Sequence, residues 1–139
     1  MAITAKSLDR FQVEINTSAG VLIADEPPGV GDGAGPDPYD LLLSALAACK
    51  IVTVQMYARL KEWPLEEVRV SLTSHRDHAR DCKECESDPN ALIDIIEGEI
   101  EFDGPLSEEQ IVRLEEISNR CPVHRTLTSE TVIRITLKA

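Results

Sequence analysis

Positive charge is scarce in this sequence. Its 139 residues carry 25 Asp and Glu against 14 Lys and Arg, a formal charge of -11. Such a surface repels phosphate backbones and anionic lipid, which argues against nucleic acid as a partner. Long apolar runs are missing as well. None approaches the roughly 20 residues of a membrane span, and the opening MAITAKSLDRFQVEIN has no apolar core of the kind a secretory signal needs. A cytoplasmic protein without a membrane partner is expected. Internal repeats and linkers are absent, and hydrophobic and charged contents of 42% and 28% are those of a globular chain. A single domain over residues 1–139 follows from the length. The glycine-rich stretch GVGDGAG lacks a complete phosphate-binding fingerprint. Counting from Gly29, Ala34 stands where the third glycine of G-x-G-x-x-G belongs, and Asp32 disfavours a phosphate.

What is present divides cleanly into elements. FQVEIN (11–16) and GVLIAD (20–25) read as an opening β-hairpin, followed by a proline- and glycine-rich loop. DPYD then opens a helix with Asp37 as N-cap, Pro38 at the first helical position and Asp40 at the third; it runs to about Glu62. Between Leu41 and Val54 only Ser44, Lys50 and Thr53 interrupt the apolar run, so this helix must be enclosed rather than wet on one face. Strands are expected at 66–75, at 91–104 and in the final ETVIRITL, with an amphipathic helix at 106–120 capped by Ser107 and Gln110, and a short helical turn after Cys121. The pattern indicates an α+β fold with antiparallel sheets around a long buried central helix. One small sheet and one helix cannot cover that helix on every side, so a second subunit is expected to.

The four cysteines carry the chemistry. In a reducing compartment a patterned set points to metal binding or catalysis before structural disulfides. Cys49 lies mid-helix on an apolar stripe, where it reads either as a small core residue or, given a buried cation, as a reactive thiol. Cys121 precedes Pro122 and so reads as the N-cap of the next helical turn, a position that favours a thiolate, with Arg120 and Arg125 close in sequence. A cap beside a turn, with His124 merely hydrogen-bonded, is the plainer alternative.

GPDPYDLLLSALAAC, MYARLKEWPLEEVRV and RCPVHRTLT together resemble, in order and interval, the signatures of the OsmC and organic hydroperoxide resistance superfamily. The resemblance implies an intertwined α+β homodimer carrying a cysteine-based peroxidase that needs no cofactor. By it, Cys49 attacks an organic hydroperoxide and becomes a sulfenic acid. Cys121 resolves it as a disulfide, and a dihydrolipoyl or similar dithiol returns the electrons. It also implies an activating arginine from the N-terminal segment, where Arg10 stands alone. The carboxylate that steadies that arginine in the hydroperoxidases falls here on Tyr39, with Asp40 beside it.

One segment lies outside that pattern. His75, His78, Cys82 and Cys85 form H-x2-H-x3-C-x2-C, a donor set suited to tetrahedral zinc. The Cys pair also reads as a redox couple, or as free thiols in a polar loop. If residues 75 and 78 both lie on a strand, they face opposite ways and cannot share a metal. A second functional reading therefore stands beside the peroxidase. It is a noncatalytic protein holding a small hydrophobic ligand in an apolar cleft, with a metal or redox sensor at His75, His78, Cys82 and Cys85.

Overall fold

The computed structural model describes residues 2–138. The order is β1 (Thr4–Ser7), β2 (Val13–Thr17), β3 (Gly20–Ala24), α1 (Pro38–Leu60), β4 (Glu67–His78), a 3-10 turn at Ala79–Asp81, β5 (Leu92–Asp103), α2 (Glu108–Ser118) and α3 (Pro122–Thr128). The fold is mixed α+β with antiparallel sheets, as the sequence pattern predicts. Backbone proximity groups the chain into two compact units, residues up to Ala45 and those from Leu46 on, so the boundary falls inside α1.

In the first unit the expected hairpin is present as β2 and β3, paired from Val13↔Ala24 to Thr17↔Gly20. A third strand, β1, adds to it from Thr4↔Asn16 to Ser7↔Val13. Its residues TAKS are all exposed and show no apolar alternation, so nothing in the sequence marks it. The loop after β3 is organised by the buried Asp25. Its carboxylate accepts from the backbone N–H groups of Glu26, Asp32 and Ala34 at 2.7, 3.2 and 3.0 Å. These amide donors, Ala34 foremost, hold its pKa below the ordinary carboxylate value, and Arg10 adds a smaller pull in the same direction. The start of α1 is capped as expected. Asp37 N donates to the Asp40 carboxylate at 3.2 Å, and Asp40 N donates to Asp37 at 2.8 Å.

In the second unit β4 and β5 form a twelve-residue ladder from Glu67↔Asp103 to His78↔Leu92. Gly98 sits in it because the backbones pass too closely for a side chain: a Cβ there would lie 1.8 Å from the Ser71 carbonyl oxygen. Val54 and Ala58 of α1, Val68 of β4 and Leu114 of α2 make the core, with Tyr57, Trp63, Ile100 and Phe102 packed against it. α2 begins at the capping box of Ser107 and Gln110 that the sequence predicts.

One expectation needs correction, and another concerns α1. Within one chain α1 buries a single stripe, Leu46, Lys50, Val54 and Ala58, at the i, i+4 spacing of one helix face, which agrees with the expectation that one chain does not supply cover on every side. Val52, Met56 and Leu60 remain 51, 68 and 79% exposed. The final ETVIRITL is not a strand. Residues 130–138 have no ladder partner among the described residues, and a strand exists only by pairing its backbone. Its Ile133, Ile135 and Leu137 are 79, 88 and 97% exposed.

Candidate active site

The C-terminal end of α2 and the start of α3 wrap around one side chain of α1. Lys50, at 8% exposure, donates from Nζ to the Ser118 carbonyl at 3.1 Å and to Asn119 Oδ1 at 3.3 Å. It also meets His124 Nδ1 at 3.0 Å. A lysine so deeply buried is rare unless its charge is answered. Here the last carbonyls of α2, unsatisfied by the helix itself and at the negative end of its dipole, supply part of the answer. An ammonium has no acceptor, so the Lys50 contact makes Nδ1 of His124 the acceptor and places the imidazole proton on Nε2. Burial first, and then the positive charge of Lys50, hold the His124 pKa below its ordinary value.

Cys121 is the N-cap of α3, as its place before Pro122 predicts, and its Sγ accepts from the His124 backbone N–H at 3.3 Å. It is fully buried. Burial pushes the Cys121 thiol up, and the hydrogen bond from His124 and the charge of Lys50 pull the other way. Cys49 also pushes it up, acting on Cys121 both as a hydrogen-bonding neighbour and as a charge. The two thiols, 72 positions apart in sequence, are therefore close enough to interact, and both are free. Cys49 is partly exposed where Cys121 is sealed. The arrangement offers one approachable thiol, a second, buried thiol whose pKa is raised, an imidazole whose pKa is lowered and a buried cation. That set can reduce an electrophile at Cys49 and capture the oxidised sulfur at Cys121.

The family model described as OsmC-like protein matches residues 31–136. The chain belongs to the OsmC-like family. Among solved structures it is similar to an OsmC-like protein from Mycoplasma pneumoniae, with 26% identity, a TM-score of 0.70 and coverage of 91% of this chain and 85% of that one. An organic hydroperoxide resistance protein OsmC from Legionella pneumophila shares the fold at 18% identity and TM-score 0.64, covering 91% and 88%. The organic hydroperoxide resistance protein OhrB of Bacillus subtilis does so at 17% and 0.60, covering 91% and 89%. A search of curated proteins found no match.

Arg10 lies in the first compact unit of this OsmC-like chain, in the turn between β1 and β2, with φ of 52°. Its guanidinium pairs with the Asp32 carboxylate and donates to the Val30 carbonyl at 3.1 Å. The carboxylate on this arginine is thus Asp32. Tyr39 is half exposed, and Asp40 is engaged in capping α1. The four residues of the expected zinc set are not brought together. Cys82 and Cys85 are joined to each other in a disulfide. His75 and His78 both lie on β4, three residues apart and so on opposite faces, and His75 faces Glu97 across the ladder at 3.6 Å. A metal on these four ligands needs the disulfide opened and the strand broken. Among the described residues the one cluster with metal-ligand spacing is Asp77, His78 and Asp81, which shares a single member with that set.

Sequence reasoning missed Lys50. The signal was available: one charge inside an otherwise apolar helix, next to a cysteine, at the spacing 46, 50, 54, 58. A reactive Cys49 calls for a buried cation, and the family resemblance points to Arg10 for it instead.

Proposed function

We propose that the chain is a thiol-dependent peroxidase that reduces organic hydroperoxides, with Cys49 as nucleophile, Cys121 as resolving thiol and Arg10 as activator. The coarser part of that reading, a redox protein of the stress-response kind, rests on the OsmC-like family and on neighbours named for organic hydroperoxide resistance. What supports the finer part is that two free thiols interact near the buried Lys50 ammonium.

In the first step the Cys49 thiolate attacks the distal peroxide oxygen. The O–O bond breaks, the alkoxide takes a proton and leaves as alcohol, and Cys49 becomes a sulfenic acid. In the second, the Cys121 sulfur displaces the sulfenic hydroxyl, and the thiol proton leaves with it as water. Burial pushes the Cys121 thiol up, and the His124 backbone N–H and the Lys50 charge favour its thiolate for this attack. A dithiol of the dihydrolipoyl kind returns two electrons and two protons to the disulfide. No cofactor takes part, and the protein works in the cytoplasm.

The active form is a homodimer in this reading. The uncovered stripe of Val52, Met56 and Leu60 and the unpaired apolar tail around Ile133, Ile135 and Leu137 are the surfaces a second copy would cover. Reduced protein treated with one equivalent of cumene hydroperoxide should yield a Cys49–Cys121 disulfide by peptide mapping. Unreacted thiols would instead favour a noncatalytic ligand-binding role, for which the cavity of about 680 Å³ beside Leu46, Val70 and Leu72 is the available space.

A further inference from the structure

The bend that joins α2 to α3 carries Cys121, and one side chain of α1 grips it from both sides. Before the cysteine, Lys50 Nζ donates to the Ser118 carbonyl at 3.1 Å and to Asn119 Oδ1 at 3.3 Å; after it, the same Nζ donates to His124 Nδ1 at 3.0 Å. An ammonium has three donors, and all three are engaged, so Lys50 has none left for a substrate. It is the neighbour of Cys49 on the rigid backbone of α1.

His124 touches this arrangement twice. Its imidazole accepts from Lys50, and its backbone N–H donates to Cys121 Sγ at 3.3 Å. Little else fixes α3. None of its seven residues is buried, so apolar packing contributes little to where this short helix sits. The hydroxyls of Thr126 and Thr128 donate to the Pro122 and His124 carbonyls, within the helix itself. Among the described residues, His124 is thus the one α3 side chain hydrogen-bonded to α1.

We propose that His124 is a positioning residue for the resolving step: it ties the start of α3 to the helix that carries Cys49, and so keeps the Cys121 sulfur in reach of the oxidised one. The proposal rests on the peroxidase reading for the origin of the sulfenic acid. In that step Cys121 Sγ attacks Cys49 Sγ. The S–O bond breaks as the S–S bond forms, and the hydroxyl leaves with the Cys121 proton as water. A disulfide closes only where the two Cα atoms come within about 7 Å. A displacement of about 1 Å from the reacting geometry can cost on the order of 100-fold in rate. With the tie lost, the sulfenic acid persists, and a second hydroperoxide takes it to the sulfinic acid. Charge and tether are separable here. A leucine at 124 leaves the ammonium, its bonds to Ser118 and Asn119, and the backbone donor to Cys121 in place.

The test compares the full chain with His124→Leu and with His124→Gln, the second of which restores an acceptor for Lys50. Each reduced protein receives one equivalent of cumene hydroperoxide. Dimedone trapping follows the Cys49 sulfenic acid, and peptide mapping follows the Cys49–Cys121 disulfide. In His124→Leu the conversion of sulfenic acid to disulfide should slow about tenfold or more, well beyond any slowing of sulfenic acid formation, and excess hydroperoxide should leave Cys49 as sulfinic acid. His124→Gln should recover most of the lost rate. A thermal melt shows whether His124→Leu is folded, and His124→Ala, which also removes the acceptor, takes its place if it is not. Diamide supplies a second route to the disulfide: it adds to one thiol, and the other displaces the adduct as the hydrazine. That closure should slow in the same variant. Closure at the parent rate without the imidazole, equal slowing of both steps, or a Gln variant as slow as the Leu one overturns the tether. If the parent forms no sulfenic acid, the peroxidase reading falls, and the diamide closure rates still decide the tether.

Discussion

Replacing Lys50 by methionine tests the centre of the site, because the side chain keeps its length and loses only the ammonium. Three partners at 3.0 to 3.3 Å lose their donor. The Ser118 carbonyl bears most of the effect, since Ser118 is buried and water cannot replace the bond. A buried acceptor left unpaired costs about 1–3 kcal/mol. Asn119 and His124 are less enclosed and recover part of their bonding from solvent. Against this, the variant no longer has to bury an ammonium, which offsets part of that cost. We expect a net loss of about 1 kcal/mol, which for a chain of this size lowers the melting temperature by about 3 °C.

Two titrations should move in the same direction. His124 loses the repulsion that depresses its pKa, so its pKa rises; Cys121 loses the attraction that favours its thiolate, so its pKa rises further. Thermal melts, NMR titration of His124 and the pH dependence of Cys121 alkylation read these effects. A variant that melts at or above the parent, with both titrations unmoved, would refute the assignment of Lys50 as the cation of the site.

Other outcomes follow from the same geometry. His124 has a folded-state pKa below the ordinary value of about 6.5, so below that pH the unfolded chain binds more protons and stability falls as the solution is acidified. Denaturant midpoints between about pH 7 and pH 5 should show this loss, and His124→Gln should flatten it; an equal slope in the variant contradicts the assignment. Asp25 has a depressed pKa, so its contribution is present above the ordinary carboxylate value and is lost as pH falls through the lower folded one. Asp25→Ala should loosen the loop after β3, measured as faster amide exchange at Asp32 and Ala34; unchanged exchange would count against that role. Gly98→Ala places a Cβ against the Ser71 carbonyl and should cost about 3 kcal/mol in urea unfolding, whereas a loss under about 0.5 kcal/mol would mean the strands part freely. Ile135→Asp should shift the mass measured by light scattering from dimer to monomer, and a monomeric parent protein would end the dimer proposal.

Much of the local structure was legible. Asp37 with Asp40, Ser107 with Gln110, and Cys121 before Pro122 each declare a helix start by short-range hydrogen bonding, and each cap is present. Strand β1 was not legible, because four exposed residues become a strand only when the backbone of β2 lies beside them. The tail at 130–137 failed for the converse reason: it alternates as a strand should, but no ladder among the described residues accepts it.

The sequence by itself determined the helices, the main hairpins and the two cysteines worth watching, since caps and apolar periodicity act within a few residues of chain. Only the tertiary structure decided that Lys50 rather than a solvent-facing residue occupies the buried stripe of α1 and that Asp32 is the carboxylate on Arg10. It also decided that Cys82 closes on Cys85 instead of joining two histidines. Each of those choices depends on which groups from distant segments share a small volume with little water, where one unpaired charge or one sulfur out of reach changes the chemistry, and no local pattern records that.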